Sequence, residues 1–328
     1  MKNRMVMARA PLRLSFVGGG TDIPFYYKKS GYGAVVSAAI DKFIYVAVNK
    51  KFDDKIRVSY SRTEIADSVD EILHPSVREA LRLLALTKGI EVVSISDVPS
   101  EGTGLGSSST FLVALLHALH SYKGEFVDAE QLAKEAVHIE RNILREAGGK
   151  QDQYMAAYGS IDLMKFYSDE RVDILPLTIN EEKIKRIEES ILLLYLERER
   201  SSSSIIEDQG VSADRQKATY DEFTKMAEDS CKYIVDADVH ELGYLVMKYW
   251  NQKKRLSGRI SNGHIDSAIE RALDIGAYGG QVIGAGGGGF LMLVADPQIH
   301  QKIANSLGLM KLDFRLQFSG SRVVFVGD

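Results

Sequence analysis

The most informative pattern of apolar and polar positions lies at residues 99–119, where a polar, glycine-rich loop changes abruptly into an apolar run. Residues 90–99 alternate like a short strand and lead directly into this loop. The apolar run has helical spacing, which predicts a buried helix. Its apolar positions are Phe111, Leu112, Leu115, Leu116 and Leu119. The pattern therefore predicts a strand, a glycine-rich loop and a helix in succession.

Other apolar and alternating runs predict the remaining elements. Strands are expected at residues 4–17, 34–40, 42–50, 55–60, 160–167, 172–177, 190–197 and 291–295, with a hairpin over 314–326. Helices are expected at about 68–88, 128–145, 212–236, 238–257, 264–275 and 297–307. Tyr249 and Trp250 are expected to pack in the core.

Composition narrows the classes of protein. A chain of 328 residues suits two domains, and we place the boundary in the charged segment 178–188, giving domains 1–183 and 184–328. The net charge of −4 argues against nucleic-acid binding. A single cysteine fits a reducing cytoplasm, and no apolar run reaches the roughly 20 residues that span a bilayer. We expect a cytoplasmic protein. The sequence does not indicate its oligomeric state.

The glycine-rich loop has the chemistry of an anion site. Glycines at 102, 104 and 106 permit tight turns and close backbone approach. The serines that follow are favoured N-caps, so free backbone N–H groups and the helix dipole would face a phosphate. No lysine follows Gly106, so the loop is not a Walker A motif. The acidic ribose partner of a dinucleotide site is also missing. The alternative is a flexible loop capped onto a core helix.

A second candidate site follows the first strand. Alternation in residues 12–16 places Arg13 and Ser15 on the face opposite the apolar positions. The strand ends in Gly18-Gly19-Gly20-Thr21-Asp22, where the glycines permit close approach and Asp22 can accept hydrogen bonds from sugar hydroxyls. The alternative is a loose turn in which Asp22 caps the next segment.

A third candidate site lies near residues 140–152. Asp128 is the expected N-cap of the helix over 128–145, and Gly148-Gly149 end that helix. Lys150 and Asp152 follow, and a carboxylate beside a cation on a tight loop could orient or deprotonate a hydroxyl nucleophile. The alternatives are that Asp152 caps a helix and that Glu140 is a solvated or salt-bridged residue.

Two further segments contain polar or glycine residues in unusual density. Arg200 and four serines could be a linker or an anion-binding turn. Four consecutive glycines at 286–289 persist where backbone must touch backbone or ligand, or else form a strained hairpin turn.

Three of these motifs together resemble the GHMP kinase superfamily: ARAPLRLSFVGGGTD at 8–22, PSEGTGLGSSST at 99–110 and GAGGGG at 284–289. GAVVSAAIDKF, HIERNILREAGGKQDQY and RSSSSI resemble its sugar kinase branch. The resemblance implies an α+β, two-domain fold with a ribosomal-S5-like N-terminal half and a ferredoxin-like C-terminal half. It also implies ATP-dependent phosphorylation of the anomeric hydroxyl of a sugar phosphate, with D-glycero-D-manno-heptose 7-phosphate as the first candidate.

The resemblance also implies roles for individual residues. Asp152 would orient the sugar hydroxyl and Arg13 would neutralise charge beside it. Mg²⁺ would be reached by Ser108 and Glu140, which lies twelve residues before Asp152. The ATP phosphates would be held by Gly102, Gly104, Leu105, Gly106, Ser107, Ser108 and Ser109. The sugar phosphate would be held by Gly20, Thr21, Asp22, Lys150, Arg200, Gly286 and Gly287.

Three other functions stay open at this point. A kinase of an unphosphorylated sugar, such as L-fucose or galactose, would use the same motifs. A non-catalytic sugar or nucleotide sensor on the same fold is disfavoured by the presence of Asp152, Glu140 and the serine loop. A dehydrogenase is disfavoured by the missing ribose acid.

Overall fold

The structure is a computed structural model that describes residues 5–99, 102–196, 205–206 and 216–327. Its strands are β1 (Val6–Val17), β2 (Tyr32–Lys50), β3 (Ile56–Ser59), β4 (Thr63–Ala66), β5 (Ile90–Ser96), β6 (Ile161–Tyr167), β7 (Val172–Pro176), β8 (Ile191–Tyr195), β9 (Gly279–Val282), β10 (Phe290–Val294), β11 (Met310–Leu312) and β12 (Arg322–Val326). Its α-helices are α1 (Pro24–Ser30), α2 (Pro75–Leu83), α3 (Ser107–Lys123), α4 (Ala129–Val137), α5 (Gln151–Tyr158), α6 (Glu181–Ser190), α7 (Lys217–Asp236), α8 (Val239–Lys253), α9 (Gly263–Ile275) and α10 (His300–Leu307). Short 3₁₀ turns lie at Val69–Glu71 and Pro297–Ile299.

Strand β2 organises the larger sheet. The sequence predicts two strands here, but the structure forms one of 19 residues. Its first half pairs with β6, its second half with β5, and β1 pairs along its length. Because both halves have partners, the chain stays extended through Asp41. This eight-stranded sheet runs β12-β1-β2-β5-β3-β4, with β6 paired to β2 and β7 paired to β6.

A smaller antiparallel sheet belongs to the second half of the chain and runs β11-β8-β10-β9. Strand β8 is buried among its neighbours, as its continuous apolar run predicts. Helices α8 and α9 pack against β9, and α8 also packs against α7. Tyr249 and Trp250 of α8 are buried, so the predicted core role is confirmed. The mixture of helices and antiparallel strands confirms the α+β expectation.

The predicted C-terminal hairpin is wrong. Strand β12 pairs antiparallel with β1, and residues 314–318 make only a single bridge, between Leu316 and Ile40. One edge of β1 pairs with β2, and its other edge offers unpaired backbone N–H and C=O groups. Pairing of β12 with that edge is therefore favoured over pairing within a local hairpin. The chain end therefore returns to the first sheet and covers that edge.

Two predicted helices are shorter than their patterns. The pattern over 68–88 contains a 3₁₀ turn and then α2, because the ring of Pro75 suits the first turn of a helix and not its interior. The pattern over 128–145 is α4 followed by a π-helical turn at His138–Ile143. Asp128 caps α4 as predicted, since its side chain accepts from the Gln131 amide at 2.8 Å.

Candidate active site

The glycine-rich loop ends in the N-terminus of α3, as predicted, but the cap differs. Gly106, and not a serine, is the N-cap, with φ of 79° in the left-handed region. Ser107, Ser108 and Ser109 are the first three helical residues, whose amides have no partner within a helix. A Cβ at Gly106 would lie 3.2 Å from the Asp152 carboxylate. The turn therefore needs glycine, because the loop passes directly beside this carboxylate.

The third glycine motif lies against this loop. A Cβ on Gly104 would lie 2.4 Å from the Ile283 carbonyl, and one on Gly289 would lie 2.4 Å from the Thr103 carbonyl. The Phe290 amide donates to the Thr103 carbonyl at 3.0 Å. The two loops are thus in backbone contact, which explains why both are rich in glycine. Gly286 and Gly287 have φ of 98° and 81° and turn beneath Ile260.

Arg13 and Asp152 form a bidentate ion pair. Arg13 Nε and Nη2 donate to the two Asp152 carboxylate oxygens, both at 2.9 Å. Arg13 Nη1 donates to the Gly104 carbonyl, and the Arg13 amide donates to the Leu105 carbonyl at 3.1 Å. Arg13 is only 4% exposed. This fork fixes the carboxylate beside the glycine loop. Asp152 is the second residue of α5 and Lys150 its N-cap, so the capping alternative for Asp152 is wrong.

Asp22 ends the first glycine motif and lies beside the first residue of α5. Its carboxylate accepts from the Gly20 and Gln151 amides, each at 3.1 Å, and it is 2% exposed. Burial raises the pKa of Asp22, and the Asp152 charge raises it further, while the Gln151 and Gly20 amides oppose the shift. Asp22 therefore bridges the first glycine motif to α5 and caps no helix of its own, contrary to the turn alternative.

Glu140 lies in the π-helical turn and is 1% exposed, so the solvated alternative is wrong. Its carboxylate accepts from the Ser109 hydroxyl at 2.8 Å and from the Gln153 amide. Arg141 Nη2 lies 3.4 Å away. Burial raises the pKa of Glu140, opposed by Arg141 and by the hydrogen bonds. Ser108, which was predicted to reach a Mg²⁺ ion together with Glu140, is exposed, and the serine hydroxyl that contacts the carboxylate directly is that of Ser109. The metal role of Ser108 stays a prediction. The extra residue of the π turn re-aims side chains, which the helical pattern could not reveal.

These elements enclose a cavity of about 610 Å³. Twelve of the predicted site residues line it: Arg13, Gly20, Asp22, Gly102, Gly104, Gly106, Ser107, Ser108, Ser109, Glu140, Asp152 and Gly286. The cavity thus brings all three motifs and the 140–152 segment together.

Four predicted residues do not line the cavity: Thr21, Leu105, Lys150 and Gly287. The Thr21 hydroxyl donates to the Gly18 and Ala34 carbonyls, and buried Leu105 contributes its carbonyl to Arg13. Lys150 pairs with Glu170, and its ammonium lies 5.0 Å from the centre of the Tyr27 ring. Glu170 also pairs with Lys28 at 2.7 Å, so one carboxylate is shared between two ammonium groups, and the predicted role of Lys150 stays a prediction. Arg200 lies outside the described residues, so its predicted role stays a prediction.

Sequence reasoning missed several polar residues that line the cavity, among them Arg141, Gln151, Tyr249 and Lys253. Arg141 donates to the carbonyls of Glu146, Ala147 and Gly149 and so holds the loop before α5. Gln151 accepts from Ser15 and Ser37, both at 3.1 Å. The Tyr249 hydroxyl donates to the Gly19 carbonyl at 3.0 Å. Gln151 and Arg141 are sequence neighbours of Asp152 and Glu140, and could have been predicted from that position. Tyr249 and Lys253 reach the cavity only through tertiary packing.

The residues present fit one Mg²⁺ ion held jointly with phosphates. Mg²⁺ in nucleotide sites is bound through one or two carboxylates plus substrate phosphates. Glu140 supplies one buried carboxylate and α3 supplies serine hydroxyls in the same cavity. Across the described ranges, no group of three His, Cys, Asp or Glu side chains could hold a metal ion by itself. The donor set thus suits an ion that arrives with a nucleotide.

Comparison with known proteins identifies the family of this chain. The model described as GHMP kinases N terminal domain matches residues 64–160, and the one described as GHMP kinases C terminal matches residues 231–309. The chain belongs to the GHMP kinase family. It is 31% identical to D-glycero-alpha-D-manno-heptose 7-phosphate kinase from Campylobacter jejuni over 90% of both chains. This confirms the predicted family and makes the protein an ATP-dependent phosphotransferase.

Two further relatives are consistent with that assignment. The chain is 27% identical to L-fucokinase/L-fucose-1-P guanylyltransferase from Bacteroides fragilis, over 93% of this chain and 36% of that one. A solved D-glycero-D-manno-heptose 1-phosphate kinase from Bacteroides thetaiotaomicron superposes with a TM-score of 0.81 at 23% identity, covering 98% of this chain and 100% of that one. The likeness confirms the GHMP kinase fold. Within the described ranges, no helix has both the length and the apolar character needed to cross a membrane.

Proposed function

We propose that this GHMP kinase transfers the γ-phosphoryl group of ATP to the anomeric hydroxyl of a sugar phosphate, with D-glycero-D-manno-heptose 7-phosphate as the preferred acceptor. The observation that carries the proposal is the Asp152 carboxylate, held in bidentate geometry by Arg13 directly beside the glycine loop. The choice of sugar is supported by the Campylobacter jejuni relative.

The nucleotide phosphates bind where the α3 amides are free. The amides of residues 107–109 and the positive end of the helix dipole face the cavity, and both favour a polyphosphate. Because Gly104 and Gly289 allow close backbone packing, the third motif supports the loop from behind. This rigid backing lets the amides stay in place while the phosphates change charge.

Asp152 receives the acceptor hydroxyl. Its carboxylate accepts a hydrogen bond from the anomeric O–H and aligns that oxygen with the γ-phosphorus. The new O–P bond forms as the bond to the β–γ bridging oxygen breaks, ADP leaves, and the hydroxyl proton passes to the Asp152 carboxylate. Positioning and charge neutralisation carry most of such a reaction. Arg13 contributes to both, since its fork holds Asp152 and its charge lies beside the Gly104 carbonyl.

Mg²⁺ would be held by Glu140 and a serine hydroxyl of α3 together with the nucleotide phosphates. When bound, it neutralises phosphate charge and orients the γ-phosphoryl group. The hydrogen bonds from Ser109 and Gln153 hold the Glu140 carboxylate in place on the cavity wall. Asp22 and the backbone of Gly19 and Gly20 form the wall that would hold the sugar hydroxyls. We place the reaction in the cytoplasm, since the single cysteine, Cys231, is unpaired.

The test is a panel of acceptors assayed by ADP release. D-glycero-D-manno-heptose 7-phosphate should give the highest kcat/KM, with the product carrying a second, anomeric phosphate detectable by ³¹P NMR. L-fucose and galactose should react poorly. Turnover confined to unphosphorylated sugars would overturn the sugar phosphate assignment, and absence of ADP release with every sugar would overturn the proposed reaction.

A further inference from the structure

Lys253 is a buried cation that the motifs do not include. It is the last residue of α8, lines the cavity and is 6% exposed. Its ammonium donates to the Gly284 carbonyl at 2.6 Å and lies 5.5 Å from the Tyr249 ring centre. Within the part of the chain that the structure describes, no carboxylate forms an ion pair with it. Buried lysines without an anionic partner are costly, so such a group needs a reason to persist.

The position of Lys253 supplies that reason. Its acceptor, Gly284, packs directly on Gly104 of the phosphate loop: a Cβ on Gly284 would lie 2.9 Å from the Gly104 Cα. On its other side, Gly104 accepts from Arg13. Lys253 therefore approaches, from the C-terminal half of the chain, the place where the phosphate loop meets the Arg13–Asp152 pair.

Lys253 differs from the other two cations on the cavity wall, because each of those lies beside a carboxylate. Arg13 pairs with Asp152, and Arg141 lies 3.4 Å from Glu140, while among the described residues no carboxylate pairs with Lys253. The cavity wall also carries Asp22, which accepts from backbone amides, and Glu146. Burial, together with the neighbouring Arg13 charge, lowers the pKa of Lys253 to about 7. A phosphate beside Lys253 would favour the charged ammonium.

We propose that Lys253 contacts the phosphoryl group in transfer and supplies, from the C-terminal half, the lysine that the glycine loop lacks. The chain has no lysine between Lys88 and Lys123, so the loop cannot provide one. Lys253 is then a catalytic residue: it pairs with the γ-phosphate oxygens as charge develops on them. The inference deepens the proposed function and depends on ATP as donor, not on the identity of the sugar.

The direct test measures proton uptake by calorimetry at pH 8, in two buffers of different ionisation enthalpy. A non-hydrolysable ATP analogue with Mg²⁺ should bind with uptake of about one proton, because burial lowers the pKa of Lys253 without nucleotide and a phosphate beside it favours the ammonium form. ADP with Mg²⁺ should bind with much less uptake. Equal uptake with both nucleotides, or none with either, would overturn the contact with the transferred group. The calorimetry needs no sugar, so a wrong sugar assignment leaves its result unchanged.

The variant test compares two adjacent lysines. Lys253→Gln should abolish the proton uptake and lower kcat about 10²-fold or more, with a small change in the KM for the sugar. Lys254→Gln is the matched control: Lys254 pairs with Asp266 at 3.3 Å, lies outside the cavity wall and should behave like wild type. Thermal unfolding checks that the variants fold. Lys253→Met is the second variant, because the unbranched methionine side chain can take the place of the lysine side chain beside Trp250. Proton uptake retained in Lys253→Gln, or kcat within threefold of wild type, would contradict the proposal.

Discussion

Two regions of the cavity wall hold their carboxylates in different ways. In one, Asp152 is paired with Arg13 through two hydrogen bonds, and its side chain is 24% exposed. In the other, Glu140 is almost fully buried and receives its shortest contacts from a hydroxyl and an amide, with the Arg141 guanidinium at 3.4 Å. The first carboxylate has a close bidentate cation, and the second has a longer contact with its cation.

This difference suits the two carboxylates to two functions, hydroxyl alignment and metal binding. A carboxylate that faces solvent and is oriented by a guanidinium fork can receive a hydroxyl group without losing its alignment. A buried carboxylate whose shortest contacts are to neutral groups, with its cation at 3.4 Å, can bind a divalent ion as well. We therefore expect hydroxyl alignment at Asp152 and metal binding at Glu140, and variants of the two should fail in different ways.

The largest effect is expected from Asp152→Asn. The amide cannot accept the hydroxyl proton or form the same two bonds to Arg13, so kcat should fall about 10³-fold while nucleotide affinity changes little. Turnover is measured by ADP release and affinity by calorimetry. Asp173→Asn is the matched control, since Asp173 accepts two hydrogen bonds from Arg171 on the surface. Retention of kcat within a few fold would show that Asp152 lacks this role.

Arg13→Lys tests whether the fork matters beyond its charge. Lysine keeps the positive charge but cannot bind both Asp152 oxygens and the Gly104 carbonyl together. We expect kcat to fall about 10²-fold with an intact fold. The comparison variant is Arg9→Lys on the same strand, where the guanidinium stacks 4.1 Å from the Phe43 ring centre and should be dispensable for turnover. If Arg13→Lys and Arg9→Lys have equal kcat, charge alone suffices.

Asp162 extends the comparison to a buried carboxyl with an unpaired oxygen. It lies on β6 opposite Ser37 and is 1% exposed, and its Oδ1 has no hydrogen-bond partner among the described residues. Burial raises the pKa of Asp162 from its ordinary 3.8 to about 7. Above pH 4 the unfolded chain ionises this group while the folded chain keeps the proton. Folding stability is therefore lost as the pH rises from about 4 to 7.

Asp162→Asn should remove that loss. Between pH 5 and pH 8 its stability relative to wild type should increase by about 2–3 kcal/mol, since each pH unit of differential ionisation is worth about 1.4 kcal/mol. Denaturant unfolding at both pH values measures this margin, which is the free energy of unfolding of the variant minus that of wild type. Asp313→Asn, at a carboxylate with 86% side-chain exposure, should show none of this trend. A margin for Asp162→Asn that stays constant with pH would show that the carboxyl is ionised in the folded protein.

The sequence was sufficient for the local features of this site. The anion loop, the strand that presents Arg13 and the buried helix α3 can each be predicted from a single stretch of about twenty residues or fewer. Within such a stretch, periodicity and glycine placement are informative. The boundaries of α9 were also predicted, because Asn262 caps it and Gly276 ends it.

The features that local patterns did not reveal depend on distant partners. Lys150, whose contact with a sugar phosphate stays a prediction, lies off the cavity wall and pairs with Glu170 in the turn after β6. Lys253 was passed over because an apolar helix gives no sign that its last lysine reaches a glycine loop 31 residues away. The C-terminal strand pairs with β1 at the opposite end of the chain. Local patterns cannot encode such competition between partners, because it is decided in the assembled fold.

Glu140→Gln should have the smallest effect, and it tests the second half of the comparison. The amide has the same shape and can still accept from Ser109, but it removes the buried negative charge of Glu140. We expect the Mg²⁺ concentration for half-maximal activity to rise about tenfold, with kcat at saturating Mg²⁺ reduced less, since phosphates retain most of the ion's ligands. Glu146→Gln makes the same charge change on the same cavity wall without touching the Ser109 contact, and should leave the Mg²⁺ dependence as in wild type. A Mg²⁺ dependence unchanged in Glu140→Gln would remove Glu140 from the metal site, and would leave its burial against Ser109 and Gln153 as a purely structural contact between the π-helical turn, α3 and α5.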